Sequence, residues 1–295
     1  MANLLDIRRR IKSVKNTQQI TKAMKMVSAA RLKRAQERAV SARPFAVKMA
    51  EVLTDLASQA GEDFRHPLLD ARGDARYLLV LVTADRGLAG AFNANIVKAA
   101  QSFLREHEGK AVEILALGRK GRDFFRRRAE VVGEYVGIGG NGKVEHAQAL
   151  EVARDVMRRF TEDEGIDKVF VIFNEFRSVI SQRVVVEQIL PVSRAEEVGG
   201  EDEAPREQNL VGYKYEQPPE EIFSQLLPRL VETQIYRALL ESVASEQGAR
   251  MTAMDSASKN AGELIQSLTL NMNRIRQASI TREIIEIVSG AAAAQ

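Results

Sequence analysis

Apolar residues recur every three or four positions along the last third of the chain, and this spacing predicts a long helix with a single apolar stripe. The stripe runs in alternating steps of four and three, and Gln247 and Ser258 are its polar members. A mean spacing of 3.5 residues is typical of the contact face of a coiled coil. Because no proline follows Pro228, one unbroken helix over residues 220–289 is expected. The positions of this C-terminal seam are Leu240, Ala244, Gln247, Met251, Met254, Ser258, Ala261, Ile265, Leu268, Met272 and Ile275.

The beginning of the chain carries a second stripe of the same period, which predicts a helix over residues 1–58. Pro44 removes one hydrogen bond from this helix, so we expect a kink there. The positions of this N-terminal seam are Ile7, Ile11, Val14, Gln18, Thr21, Lys25, Ser28, Leu32, Ala35, Ala39, Ala42, Ala46, Met49, Leu53, Leu56 and Ala60.

The N-terminal seam becomes polar between Gln18 and Ser28, where a different face of the same helix becomes apolar. A helix that touched only a coiled-coil partner would have no reason to carry two such faces. We therefore expect the second face to contact another protein. Its members are Ile20, Ala23, Met24, Val27 and Ala30.

The lengths of the two helices predict how they are arranged. At 1.5 Å per residue they would be about 80 and 105 Å long. The roughly 160 residues between them would form a compact body with a radius of gyration near 15 Å, which is too small to cover such helices. We expect the helices to run antiparallel and to project from the body as a two-stranded shaft.

The middle of the chain alternates short apolar runs with helical patterns, which predicts an α/β layer structure with a mostly parallel, Rossmann-like sheet. The acidic stretch 194–209 reads as a surface loop. Expected strands are 77–83, 112–117, 168–173 and 183–190, and expected helices are 94–107, 119–128 and 145–164. The predicted fold class is therefore α+β, with a long antiparallel coiled coil formed by residues 1–60 and 216–295 and a central α/β domain over 61–215.

Composition narrows the possible functions. The chain has 45% hydrophobic residues, no cysteine and three scattered histidines, so neither a thiol switch nor a histidine metal site is expected. No segment resembles a signal peptide or a membrane span. Residues 1–48 hold thirteen Lys and Arg against Asp6 and Glu37, although the whole chain has a net charge of only +3. Such a basic helix favours an acidic partner, and the apolar face beside the charges favours a protein over nucleic acid.

A glycine-rich turn follows the first expected strand and is the segment that suggests an enzyme. Residues 83–93 read TADRGLAGAFN. A turn of this kind at a helix N-terminus can hold phosphate, but its glycine spacing matches neither GxGxxG nor GxxxxGK[ST]. We interpret it as a tight strand-to-helix turn in which Asp85 or Asn93 caps the helix. Since no catalytic or metal-binding constellation occurs elsewhere, no cofactor or metal is expected.

Four segments together resemble a known family. Residues 11–29 read IKSVKNTQQITKAMKMVSA, residues 245–254 read SEQGARMTAM, and residues 276–291 read RQASITREIIEIVSGA. With the turn at 83–93, these resemble the gamma subunit of the rotary proton-translocating ATP synthase. The resemblance runs nearly end to end and is weaker across 110–210.

The resemblance implies a non-catalytic central-stalk rotor. In that family the gamma subunit is an antiparallel coiled coil inside a ring of alpha and beta subunits, and its α/β body stands with the epsilon subunit on a ring of c subunits. Proton flow turns it, and its asymmetry drives the catalytic sites through successive states. The expected location is the cytoplasmic face of a bacterial plasma membrane, with membrane contact only through partners and with no nucleic acid.

The resemblance also assigns residues to partner contacts. Arg276, Gln277 and Thr281 match positions where the family's shaft hydrogen-bonds to loops of the beta subunit, a role that suits a guanidinium group. Met24 and Lys25 match the stretch that faces the acidic levers of beta.

Two further segments correspond to the two ends of the family's rotor. Tyr213 and Tyr215 resemble the foot near the c ring. The apolar residues at 284–288 continue past the seam and suit a bearing of apolar side chains. The cysteine-bearing regulatory insert of photosynthetic gamma subunits has no counterpart here.

Two other classes of protein remain alternatives at this point. A basic coiled coil that binds nucleic acid would carry base-reading side chains beyond its zipper and would bind DNA with a steep salt dependence. An α/β enzyme would bind a nucleotide at the turn at 83–93. Nucleotide binding by the isolated chain distinguishes that class from a rotor.

Overall fold

The structure, a computed structural model, describes residues 4–59, 65–140, 142–162, 165–179, 181–192 and 217–293. A long helix lies at each end of the chain, and strands alternate with shorter helices between them. In chain order the elements are α1 (Leu4–Gln59), β1 (Arg76–Val82), α2 (Phe92–Glu106), β2 (Ala111–Leu117), α3 (Arg119–Phe125), β3 (Glu130–Tyr135), α4 (His146–Glu162), β4 (Lys168–Phe176), β5 (Gln182–Leu190) and α5 (Pro219–Ala293).

The two terminal helices begin and end close to the predicted residues. Pro44 and Pro228 both lie inside their helices, so neither proline ends one. Every described seam position of α1 from Ile7 to Leu56 is buried or half-buried, and the same holds for the seam of α5 from Leu240 to Ile275. The heptad pattern therefore identified the inward face of each helix.

The strands form one five-stranded sheet in the order β3-β2-β1-β4-β5. All neighbouring pairs are parallel except β4 and β5, which are antiparallel, so the expected mostly parallel sheet is confirmed. Strand β3 was missed, and the helix expected over 119–128 ends at Phe125, five residues before this strand. It is a half-exposed edge strand with Gly133 and two glutamates, and it lacks the apolar run that revealed the other strands.

The core of the sheet domain is built from alternating strand residues. Leu79 and Leu81 pack in one cluster with Ile96 and Phe103 of α2. Leu78 on β1 points to the opposite face and is also fully buried. A parallel sheet that is covered on both faces leaves its strand ends as the places where a ligand could enter.

The chain divides into two compact units, residues 1–28 with 250–295 and residues 29–249. In the first unit, two polar contacts join α1 to α5. The ammonium of Lys25 lies 2.5 Å from the carboxylate of Asp255. The side-chain amide of Gln18 donates a 3.2 Å hydrogen bond to the carbonyl of Ser258. The polar stretch of the N-terminal seam thus faces inward and is hydrogen-bonded.

In the second unit, α5 is buried on all sides over residues 238–248. The backbone N–H of Phe176 donates a 3.0 Å hydrogen bond to the buried carboxylate of Glu241. The hydroxyl of Ser245 donates to the carbonyl of Asn174 at 3.1 Å. This part of α5 therefore packs against the end of β4 through residues that lie outside its seam.

The ion pair between Lys25 and Asp255 gives the first unit a pH-dependent contribution to stability. Hydrogen bonds from Lys25 and Lys259 lower the pKa of Asp255 below its usual value. A carboxyl whose pKa is lowered by folding stabilises the folded chain at pH values above its unfolded pKa of about 3.9, and this contribution is lost as the pH falls through the folded value.

We expect the Asp255→Asn variant to melt at a lower temperature than the unchanged chain at pH 7. The difference should persist down to about pH 4 and disappear only at more acidic pH, where the unchanged chain also loses this charge. Circular dichroism melts between pH 2 and 8 measure it. Glu263→Gln on the exposed face of α5 is the matched control and should show no such profile. A difference that is independent of pH would contradict the electrostatic origin.

Candidate functional site

The polar side chains of the turn at 83–93 bind neighbouring backbone groups. The hydroxyl of Thr83 accepts a 2.8 Å hydrogen bond from the N–H of Gly121 and can donate to the carbonyl of Leu117 at 3.1 Å. The side-chain carbonyl of Asn93 accepts from the N–H of Ala84 at 2.9 Å. These bonds hold the turn against the adjacent loop.

Asp85 is the central residue of this arrangement. One carboxylate oxygen accepts a 3.0 Å hydrogen bond from the N–H of Arg119, and the other accepts a 2.8 Å bond from the N–H of Gly137. Helix α2 begins at Phe92, and its N-cap residue, Ala91, makes no side-chain capping hydrogen bond. The predicted capping role of Asp85 or Asn93 is therefore wrong, because both side chains tie loops together instead.

The crevice where a doubly wound sheet would hold a nucleotide is filled. The chain runs from β1 to β2 and β3 on one side of the sheet and then crosses to β4 on the other side of β1. Ligands of such folds bind at the carboxyl ends of the two strands at this switch point, here β1 and β4. Here α5 lies at this point, held by Glu241 and Ser245. The cavity that remains there is lined by residues at the ends of β1 and β2, by Ile138 and by residues of α5, and it measures about 10 Å³. Sites for small molecules usually enclose about 300–1,000 Å³, so a nucleotide does not fit here.

The second apolar face of α1 is exposed, as its position opposite the seam requires. Ile20 is 59% and Val27 51% exposed, and neighbouring Met26 is 62% exposed. Met24 and Lys25 are half-buried. The ion pair of Lys25 with Asp255 is a contact that sequence reasoning missed, since nothing in the sequence pairs a residue of α1 with one 230 positions away.

The predicted site residues of the last helix lie together on an exposed segment. Arg276, Gln277 and Thr281 are all exposed, and the hydroxyl of Thr281 donates a 2.9 Å hydrogen bond to the carbonyl of Gln277. The apolar side chains of residues 284, 285, 287 and 288 are also exposed. Arg276 is 21 positions beyond Asp255, which is roughly 30 Å along the helix axis, so this group is separate from the one around Lys25. Tyr213 and Tyr215 lie outside the described residues.

Three further findings concern metal binding, membrane crossing and surface depressions in the described part of the chain. It contains no group of three or more His, Cys, Asp or Glu side chains that could hold a metal ion. None of its helices has an apolar stretch long enough to cross a bilayer. A broad depression of about 510 Å³ at the end of α3 is lined by Asp123 and Arg126–Arg128 and is open to solvent.

Comparison with known proteins identifies the family. A family model described as ATP synthase matches residues 3–294. The ATP synthase gamma chain of Solibacter usitatus (strain Ellin6076) is 52% identical over 299 residues, covering 100% of both chains. The ATP synthase gamma chain of Geobacter metallireducens (strain ATCC 53774 / DSM 7210 / GS-15) is 50% identical over 294 residues, covering 99% of this chain and 98% of that one.

Solved structures agree with the sequence matches. A chain in the central stalk and c-ring structure of the Tetrahymena thermophila mitochondrial ATP synthase is 27% identical, with a TM-score of 0.58 over 81% of this chain and 99% of that chain. A chain of the Euglena gracilis mitochondrial ATP synthase has the same fold, with a TM-score of 0.65 at 19% identity. Because the family model and these relatives match nearly the whole chain, the chain belongs to the family of ATP synthase gamma chains.

Proposed function

We propose that this chain is the central-stalk rotor subunit of a proton-translocating ATP synthase and couples proton flow to ATP synthesis at a ring of alpha and beta subunits. The observation that carries this proposal is the end-to-end match to ATP synthase gamma chains at 50–52% sequence identity. Nothing in the comparisons favours the nucleic-acid-binding alternative.

The shaft of this rotor would be an antiparallel coiled coil of α1 and α5. Support comes from the two buried seams, whose spacing matches that of a coiled coil. Further support comes from the contacts of Lys25 with Asp255 and of Gln18 with Ser258. Gln18 precedes Lys25 in α1, whereas its partner Ser258 follows Asp255 in α5, as an antiparallel pair of helices requires. In functional terms we divide the chain into shaft segments 1–60 and 216–295 and a body over 61–215.

We propose that the chain performs no chemistry itself. The crevice at the ends of β1 and β4 is filled by α5, and the polar groups of the turn at 83–93 are bound to backbone. ATP synthesis would take place on the partner subunits, and this chain would change their conformations as it turns.

The partners would meet separate parts of the chain. Exposed Ile20 and Val27, with Met24 and the exposed lysines beside them, suit a beta-subunit surface that is partly apolar and acidic. Lys25 would contribute less charge to this contact than its neighbours, because Asp255 already pairs with it. Tyr213 and Tyr215 would belong to a foot that meets the epsilon subunit and the c ring. The complex would place the chain at the cytoplasmic face of a bacterial plasma membrane, with membrane contact only through these partners.

Arg276, Gln277 and Thr281 would form the contact with the beta loops at the far end of the shaft. All three are exposed and lie within two turns of α5. A guanidinium beside an amide suits carboxylate and carbonyl acceptors, to which it can make charge-assisted hydrogen bonds.

The paired variant Arg276→Ala, Gln277→Ala should weaken coupling without preventing assembly. Each lost charge-assisted hydrogen bond removes about 1.5–3 kcal/mol of interaction. In reconstituted enzyme we expect slower ATP hydrolysis and weaker ATP-driven proton pumping, with an unchanged subunit ratio on gel filtration. Arg274→Ala, an exposed arginine two positions earlier, is the control. Equal turnover in the pair and in the control would remove these two residues from the contact.

The isolated chain should show no saturable binding of ATP or ADP in calorimetric titration. A weak, salt-sensitive heat that is lost in Arg127→Ala would identify non-specific binding at the arginine-lined depression near α3. Gly87→Val is the variant that tests the turn. A Cβ built at Gly87 meets no atom within 4 Å, so the new side chain should leave the fold intact and obstruct only a ligand at the turn. Stoichiometric binding that disappears in Gly87→Val would overturn the non-catalytic proposal.

The basic face of α1 should act through many weak interactions. An exposed ion pair contributes only about 0–1 kcal/mol, so Lys33→Gln alone should change turnover little. Changing Lys22, Lys33 and Arg34 together to Gln should weaken assembly with the alpha–beta ring, and more so at low salt than at high salt. All three are exposed, so the folded chain should be unaffected. Complete loss of function from Lys33→Gln would require a specific ion pair instead.

A further inference from the structure

A glycine-rich loop between β3 and α4 lies against both terminal helices in the second unit. We call residues 137–140 and 142 the glycine loop. Gly139 and Gly142 are buried, with φ angles of 72° and 75° that side chains other than glycine rarely adopt. The N–H of Gly142 donates a 2.7 Å hydrogen bond to the carbonyl of Gly139, which holds the two buried glycines close together.

The glycine loop touches α5 at close range. A Cβ built at Gly139 would lie 2.3 Å from a methyl carbon of Val243 and 3.7 Å from its Cβ. Val243 is only 6% exposed, so its side chain has little room to move aside. The backbone of the loop therefore packs directly on α5.

The same loop touches α1 on its other side. A Cβ built at Gly142 would lie 2.9 Å from the Cβ of Arg31 and within 3.3 Å of the next two carbons of its stem. The loop thus contacts one residue on each terminal helix with its own backbone, within a single compact unit.

The loop is fixed to the sheet domain from behind. The carboxylate of Asp85 accepts its 2.8 Å hydrogen bond from the N–H of Gly137 and holds the N–H of Arg119 with its other oxygen. The N–H of Gly118 donates a 2.8 Å bond to the carbonyl of Tyr135 at the end of β3, just before the loop. Through Asp85, the turn at 83–93 thereby anchors the loop.

We propose that the glycine loop, anchored by Asp85, is the joint that transmits torque from the sheet domain to both shaft helices. This inference rests on the proposed rotor function. Torque generated at one end of a rotor must pass from the body into α1 and α5 together, or the two helices would shear past each other. The backbone of the glycine loop makes its side of this joint stiff, because the loop contributes no long side chain that could bend, and close-packed groups resist compression.

A cysteine pair measures the joint directly. Gly139→Cys with Val243→Cys places two Cβ atoms about 3.7 Å apart, within the range of a disulfide, and the natural chain has no cysteine. In the assembled ATP synthase, oxidised and reduced samples of this variant differ only at the joint. We expect a disulfide to form in high yield and ATP-driven proton pumping to continue at a similar rate in both samples. Loss of pumping on oxidation, restored by reduction, would show that the contact must open, and it would overturn the proposal.

Stiffness separates torque transmission from a merely structural role. With the catalytic ring immobilised and stalled and a probe attached to the c ring, the angular variance of the probe reports the compliance of the rotor. Asp85→Ala should raise this variance about twofold, because the loop loses its anchor while the core packing remains. Asp123→Ala, an exposed aspartate on α3, is the matched control and should leave it unchanged. Oxidising the cysteine pair in the Asp85→Ala background should restore the original variance.

The outcomes distinguish the joint from the rotor proposal. Equal angular variance in Asp85→Ala and Asp123→Ala, with both chains folded, would overturn the proposal that the glycine loop transmits torque. Should Asp85→Ala fail to fold, the oxidised and reduced forms of the cysteine pair decide: a lower variance on oxidation supports the joint, and an unchanged variance overturns it. A complex that pumps protons equally well without this chain would refute the rotor proposal instead, while the disulfide yield still reports on the contact.

Discussion

The burial of α5 against the end of β4 is the constraint on which the rest of the second unit depends. Residues 238–248 are buried on every side of the helix, including Glu241, whose carboxylate accepts the N–H of Phe176. Burying a carboxylate is costly unless it is hydrogen-bonded, and a buried backbone N–H needs an acceptor. The two groups satisfy each other, which ties one helical turn to one strand end. This contact closes the ligand crevice and fixes how α5 leaves the sheet.

A filled crevice gives the glycine-rich turn at 83–93 a new role. In a nucleotide-binding sheet its backbone groups would face a phosphate. Here Asp85 accepts the N–H groups of Arg119 and Gly137, so the turn connects two other loops. One of these is the glycine loop, which reaches Arg31 and Val243 on the two long helices. The turn at 83–93 thus occupies the position where related folds bind a ligand, but its Asp85 binds other parts of the same chain.

In the first unit, α1 has one face that packs inward and an opposite face that is exposed. Its seam is polar near Lys25, where an ion pair with Asp255 and a hydrogen bond from Gln18 replace apolar packing. Half-exposed ion pairs contribute little to stability, so this stretch is weaker than the alanine- and leucine-rich seam further along. The opposite face carries exposed Ile20 and Val27, which a monomer would have no reason to keep in a row. The stretch of α1 in which the seam is polar is thus also the stretch in which the opposite face exposes apolar side chains.

The sequence by itself determined the features that follow from local periodicity. A spacing of 3.5 residues identified the inward face of α1 and α5, and apolar runs located four of the five strands, because both signals lie in neighbouring residues. Short motifs pointed to the family, which the comparisons confirm. Strand β3 escaped because an edge strand with charged residues and a glycine has no apolar run.

Only the tertiary structure decided what depends on residues distant in the chain. Lys25 meets Asp255, Asp85 meets Gly137, and Glu241 meets Phe176, and each partner looks like an ordinary surface or loop residue in sequence. The same is true of Gly139 and Gly142, whose close approach to Val243 and Arg31 no local sequence pattern shows. Local pattern records which face of an element is apolar, whereas the pairing of polar groups is fixed by packing, which brings together residues that no short-range pattern connects.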